Sequence, residues 1–191
     1  MTKAAMPQQY DPLDYDNLAQ NVVRALMEQP CQSLAPAPFE GVGVYALYYV
    51  GSLDYYKPIM GEDIPIYVGS AVLAGRRKGG KETTARRTLY NRLVQHAKSV
   101  QQAENLHLEE FRCRYLVVVP VWIELAERFL IEHYRPVWNT VIDGFGNHDP
   151  GAGRKDMKRP RWDILHPGRG WAKRLKPAET AAKIIAALKS S

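Results

Sequence analysis

Three short runs rich in aromatic and β-branched residues set the narrowest limit on what this chain can fold into: 43–50 (GVYALYYV), 64–69 (IPIYVG) and 111–119 (FRCRYLVVV). Each has the length and composition of a strand. Helical periodicity fills the intervals between and around them. Residues 14–28 bring Leu18, Val22 and Leu26 to one helical face, and 84–100 do the same with Ala85, Leu89, Leu93 and Ala97. In 122–134 the apolar arc holds Trp122, Ile123, Ala126, Phe129, Leu130 and Tyr134. Pro36 and Pro38 bar helix after the first segment, Pro120 is tolerated at a helix start, and Pro136 ends the helix before it. The stretch SLDYYKPIMGED is too long for a tight hairpin turn and predicts an elaborated loop. Strand, strand, helix, strand, helix is the order of a small α+β layer, a short sheet covered by helices. From Asp143 onward the composition turns to Gly, Pro and basic residues with Trp162 and Trp171 among them, and only 177–188 carries a regular helical pattern.

Charge is segregated along the chain. Residues 143–191 contain eleven Lys and Arg against five Asp and Glu, an excess as large as the net charge of +6 for the whole chain. A second basic run, GRRKGGKETTARRTLYNR, spans 75–92 and offsets an otherwise acidic body. Such clustering predicts a polyanionic partner, DNA or RNA, because neutralised phosphates release counterions. Solvated basic loops are the bland alternative. No apolar run reaches the ~20 residues of a membrane span, and the first residues, MTKAAMPQQYDPLDY, show no apolar export-signal core. With only Cys31 and Cys113, neither at metal-ligand spacing, the expectation is a reducing cytoplasm, two unpaired thiols and no membrane contact.

Several polar groups stand where core and solvent meet. Tyr45 and Tyr67 lie beside Gly43 and Gly69 on two neighbouring strands and share a face if the register is right. Each tyrosine by itself serves equally as a core residue, although the glycines permit close approach of backbone or ligand. Arg92 and His96 stack four apart at the edge of the apolar face of their helix, a pair suited to an oxyanion. Glu127 sits at the rim of its helix's apolar arc, where a carboxylate needs a partner and a divalent cation is a good one. Asn139, past Pro136, either caps a turn or orients a neighbour.

In that order, Gly43-Val44-Tyr45, Tyr67-Val68-Gly69, Arg92 with His96, Glu127 in a helix and Asn139 after a proline, the residues resemble the GIY-YIG nuclease superfamily, with Val in place of Ile in both name motifs. The resemblance spans 43–139. An insertion separates the second tyrosine from the arginine and makes Arg76 a rival to Arg92; the Arg-x-x-x-His pairing on a helix favours Arg92. YALYY near the first motif and RWDILHPGRGWA at 161–172 further resemble the type II restriction endonucleases of the superfamily that cut the GC-rich palindrome CCGCGG.

The resemblance implies an α+β fold: a GIY-YIG core with a short, mainly antiparallel three-stranded sheet flanked by helices. It would occupy 41–142, after an N-terminal helical arm at 1–40, with a DNA-contacting insertion at about 71–88 and a basic C-terminal extension at 143–191. It also implies hydrolysis of double-stranded DNA with one Mg²⁺ per active site held by Glu127, and Mn²⁺ as its substitute. Tyr45, Tyr67, Arg92, His96, Glu127 and Asn139 would form the site, with Tyr45 or His96 as the general base. DNA binding would fall to Arg76, Arg77, Lys78, Arg86 and Arg87 in the insertion and to Arg154, Lys155, Lys158, Arg159, Arg161, Arg169, Lys173 and Arg174 in the extension; phosphate contacts carry no sequence information, so the base-reading residues are to be sought among them. A palindromic site implies a homodimer on DNA. A structure-specific repair nuclease and a DNA-binding module on an inactive core are the competing readings.

Overall fold

The computed structural model describes residues 11, 13–72, 86–149 and 157–190. Its centre is an antiparallel sheet of β1 (Gln32–Ser33), β2 (Gly43–Tyr49), β3 (Tyr67–Ala71) and β4 (Phe111–Val117), in the spatial order β1-β4-β2-β3. Three strands were expected. The fourth is a two-residue strand, with Gln32 opposite Cys113 and Ser33 opposite Arg112. Around the sheet lie α1 (Tyr15–Met27), α2 (Thr88–Gln102), α3 (Ile123–Tyr134), α4 (Val137–Thr140), α5 (Arg161–Leu165), α6 (Gly170–Lys173) and α7 (Ala181–Lys189). The segment between β2 and β3 is the elaborated loop that its length predicts, with a 3-10 turn at Asp54–Ile59.

All seven residues of β2 are buried, so both faces of the central strand are covered. That explains why its sequence reads as a continuous apolar run rather than as alternation. Tyr45, Leu47 and Tyr49 point into one core with Leu89, Leu93 and Ala97 of α2, whereas Val44, Ala46 and Tyr48 point into a second core with Ile123, Ala126 and Leu130 of α3. At Gly43, with φ +157°, a Cβ would run into the carbonyl oxygen of Leu116, so only glycine lets β2 lie against β4 at this point.

The C-terminal segment, expected as an extension, packs into the first core. Trp162, Leu165, Ile184 and Leu188 join the cluster that contains Tyr45 and Trp138. It is held there by a buried polar chain: Trp138 Nε1 donates to the Tyr56 hydroxyl (2.7 Å), the hydroxyl lies 2.7 Å from His166 Nε2, and His166 Nδ1 lies 3.0 Å from Asn105 Oδ1. No helix among the described residues is long and apolar enough to cross a membrane.

Candidate active site

The register of β2 against β3 decides which side chains meet. Tyr45 pairs with Gly69 and Leu47 with Tyr67, so both tyrosines lie on one face, diagonal to each other, with ring centres 6.2 Å apart. Because Gly69 has no side chain, the Tyr45 ring lies across it; an added Cβ would strike the phenol oxygen. The Tyr45 hydroxyl ends 2.6 Å from Nε2 of His96, one turn beyond Arg92 on α2. The His96 ring stacks on Phe145 at 4.5 Å and 17° and meets the Tyr67 ring edge to face at 5.4 Å.

Burial sets the protons. Desolvation, and next the neighbouring Tyr67, push the Tyr45 phenol well above its usual 10. Burial, with Arg92 second, holds His96 well below 6.5. Around neutral pH the phenol therefore keeps its proton and the imidazole is neutral; in the tautomer with its hydrogen on Nδ1, the imidazole accepts from the phenol at Nε2. Burial also raises Tyr67, while the Arg92 guanidinium pulls it the other way. Arg92 lies close enough to both hydroxyls to favour their ionised forms.

Glu127 reaches this cluster from the opposite layer. It stands on α3, which packs against the other side of the sheet, and its Oε2 accepts a 2.6 Å hydrogen bond from Ser70 Oγ on β3. The two layers can converge because β3 is an edge strand. The carboxylate's charge opposes ionisation of both tyrosines. Asn139, on α4, does not enter the cluster: its Nδ2 donates to the Val68 carbonyl and its Oδ1 accepts from the Val68 N–H, each at 2.8 Å. It grips the backbone between Tyr67 and Gly69.

Three neighbours escaped the sequence reading. Ser70 follows the second motif directly and could have been found there. Phe145 and His148 belong to a Gly- and Asp-containing stretch without periodicity. His148 Nε2 lies 3.0 Å from Arg92 Nη1.

The expected DNA-reading cations fare unevenly. Arg76, Arg77, Lys78, Arg154 and Lys155 lie outside the described residues. Arg86, Arg87 and Lys158 are exposed. Lys173 pairs with Glu104 at 2.9 Å and Arg174 with Asp149 at 2.7 Å, both on the surface. Arg161 binds Glu179 (2.6 Å) and the Val141 carbonyl, and Arg159 donates to the carbonyls of Ala172, Leu175 and Lys173. Arg169 requires correction. It is 2% exposed, forms a two-bond ion pair with Asp163 at 2.5 and 2.6 Å, and donates to the carbonyls of Gly144, Phe145 and Asn147. Its guanidinium is also enclosed by the rings of Trp162 and Trp171. A guanidinium placed so is an internal clamp, with no face left for a base.

As for a metal, no three His, Cys, Asp or Glu side chains gather into a ligand cluster among the described residues. Among the described residues the site offers one half-buried carboxylate, Glu127, which accepts from the neutral hydroxyl of Ser70. That donor set fits Mg²⁺, which binds through one or two carboxylates and otherwise keeps water and substrate phosphate oxygens.

Compared with known families, residues 37–190 match a family model described as the Eco29kI GIY-YIG domain. The match takes in β2, β3 and β4 as well as the C-terminal segment. Among curated proteins, none matches the chain.

Proposed function

Because the chain belongs to the family of the Eco29kI GIY-YIG domain and is thus a GIY-YIG nuclease, we propose that it is a type II restriction endonuclease that cuts double-stranded DNA with Mg²⁺. The products are 5′-phosphate and 3′-hydroxyl ends, and CCGCGG is the proposed site. The observation that carries this reading is the Tyr45–His96 hydrogen bond, with Tyr67 and Arg92 beside it and Glu127 across the edge strand.

The proton positions point to a relay. A phenol held far above 10 supplies almost no free phenolate near neutrality. Tyr45 instead takes a proton from the attacking water as it hands its own to Nε2 of His96, so that the charge ends on the imidazole rather than on the phenol. His96 starts neutral, as an acceptor must. Tyr67 donates to a non-bridging phosphate oxygen, and Arg92 stabilises the charge that builds on phosphorus-bound oxygens in the transition state. Asn139 fixes the backbone that carries Tyr67. Glu127 is the residue that would hold Mg²⁺, which when bound supplies Lewis-acid stabilisation of the phosphate and of the leaving 3′ oxygen. A palindromic site calls for two subunits, one for each strand, and a homodimer on DNA is part of the proposal.

The test is to digest plasmid and linear duplex with Mg²⁺ and sequence the ends. Discrete fragments with 5′-phosphates, cut within one GC-rich palindrome, are the expected result. Scattered ends or cutting only at branched structures would overturn it. Glu127→Gln and Tyr45→Phe are each expected to lose at least ~100-fold in cleavage while still binding DNA; full activity in either sinks that residue's role.

A further inference from the structure

An arginine that must meet a phosphate has to be aimed without being neutralised. On one edge of Arg92, Nη1 donates to Nε2 of His148 at 3.0 Å and to Oε1 of Gln95 at 3.3 Å, while Nη2 donates to the Gly146 carbonyl at 3.4 Å. All three acceptors are uncharged. They fix the plane of the guanidinium and leave its full positive charge on the side of the tyrosine hydroxyls. The carboxylate next in sequence, Asp149, is drawn instead to Arg174 at 2.7 Å. Gly146 is also where room is tightest: a Cβ there would lie 3.0 Å from both Arg92 Nη2 and the Tyr67 hydroxyl.

The stretch that offers these acceptors is itself anchored. Arg169 holds the carbonyls of Gly144, Phe145 and Asn147, and Asp163 holds Arg169. Phe145, in the same stretch, backs His96. The C-terminal segment thus braces His96 and Arg92 of α2 through the stretch that carries Phe145 and Gly146.

We infer that His148 is a positioning residue for phosphodiester cleavage: its unprotonated Nε2 orients Arg92 toward the scissile phosphate without cancelling the guanidinium's charge. The inference rests on the nuclease reading above. Among the described residues, Arg92 on α2, His96 on the same helix and Arg169 before α6 are charged or titratable groups that face His148. Desolvation, then Arg92 and Arg169, lower its pKa from 6.5. Once protonated, it would have no lone pair for Arg92 and would repel it.

Three substitutions separate orientation from mere presence. His148→Ala is expected to lower kcat about tenfold at saturating DNA with little change in DNA affinity. His148→Gln keeps a neutral acceptor and should restore most of the rate. His148→Glu keeps an acceptor but neutralises Arg92, and should be no faster than the alanine variant. The acid limb of the rate profile should move to lower pH in His148→Gln, because His96 alone then titrates. A wild-type kcat in His148→Ala, a Gln variant as slow as Ala, or a Glu variant as fast as Gln each overturns the inference. The contact has its own readout: in a proton NMR titration His148 should show a pKa below 6.5 that rises in Arg92→Gln, and no rise would also overturn it. If the wild-type chain cuts no DNA, the nuclease reading falls, while the titration still decides the contact.

Discussion

The side-chain amide of Asn139 makes two 2.8 Å hydrogen bonds to one residue, Val68, and so fixes the strand position between Tyr67 and Gly69. Asn139→Ala would leave a backbone donor and a backbone acceptor without these partners. The expected cost is about 1–3 kcal/mol of stability, seen as a lower urea midpoint, with a fall in kcat as Tyr67 loses its support. A variant with full stability and full rate would show that β3 holds its place unaided. At this scale the sequence was legible in its order: Tyr45, Tyr67, Arg92, His96, Glu127 and Asn139 could all be picked out, and the structure gathers the first five around one edge of the sheet, Asn139 behind them. His148 could not be picked out, because its bond to Arg92 spans 56 residues of chain and no periodicity marks it. Arg169 was misread for a related reason. A count of charges shows a cation, but not the Asp163 carboxylate and the tryptophan rings that enclose it.

Among the elements, the β2–β3 pairing carries most of the site. Its register sets Tyr45 opposite Gly69, and a shift by one residue would turn one of the two tyrosines to the wrong layer. Gly69→Ala puts a methyl against the Tyr45 hydroxyl and displaces it from His96. We expect ~100-fold slower cleavage, with the sheet retained by circular dichroism. An unchanged rate would mean that the Tyr45–His96 distance is not critical. The strands and long helices lie within a few residues of where composition and periodicity put them, because each presents a full apolar face. β1 left no such trace, since two residues have no period. α5 and α6, of five and four residues, are also too short to show a period, and they fold against a core that the sequence does not display in one place.

Taken as a whole, the molecule should be sensitive to acid. His166 is buried and held at a pKa of about 3, and His96 also lies well below its ordinary 6.5. Below pH 6.5 the unfolded chain takes up protons that the folded chain refuses, so stability present above 6.5 is lost as pH falls toward about 3. For each such histidine the slope approaches about 1.4 kcal/mol per pH unit. Thermal melts from about pH 8 to about pH 4 should show a falling Tm, less steep in His166→Asn; a flat profile would contradict the burial of these rings. The buried Asp163–Arg169 pair lies within the C-terminal segment and ties it to its own 144–147 stretch. β3 is an edge strand, and its neighbour across the open side is not another strand but the amide of Asn139, which occupies both hydrogen-bonding groups of Val68. A side chain that mimics a pairing partner also denies that place to a second chain. The residue that steadies the strand therefore also guards against strand-to-strand aggregation, a protection that would matter most while the protein is concentrated or newly made.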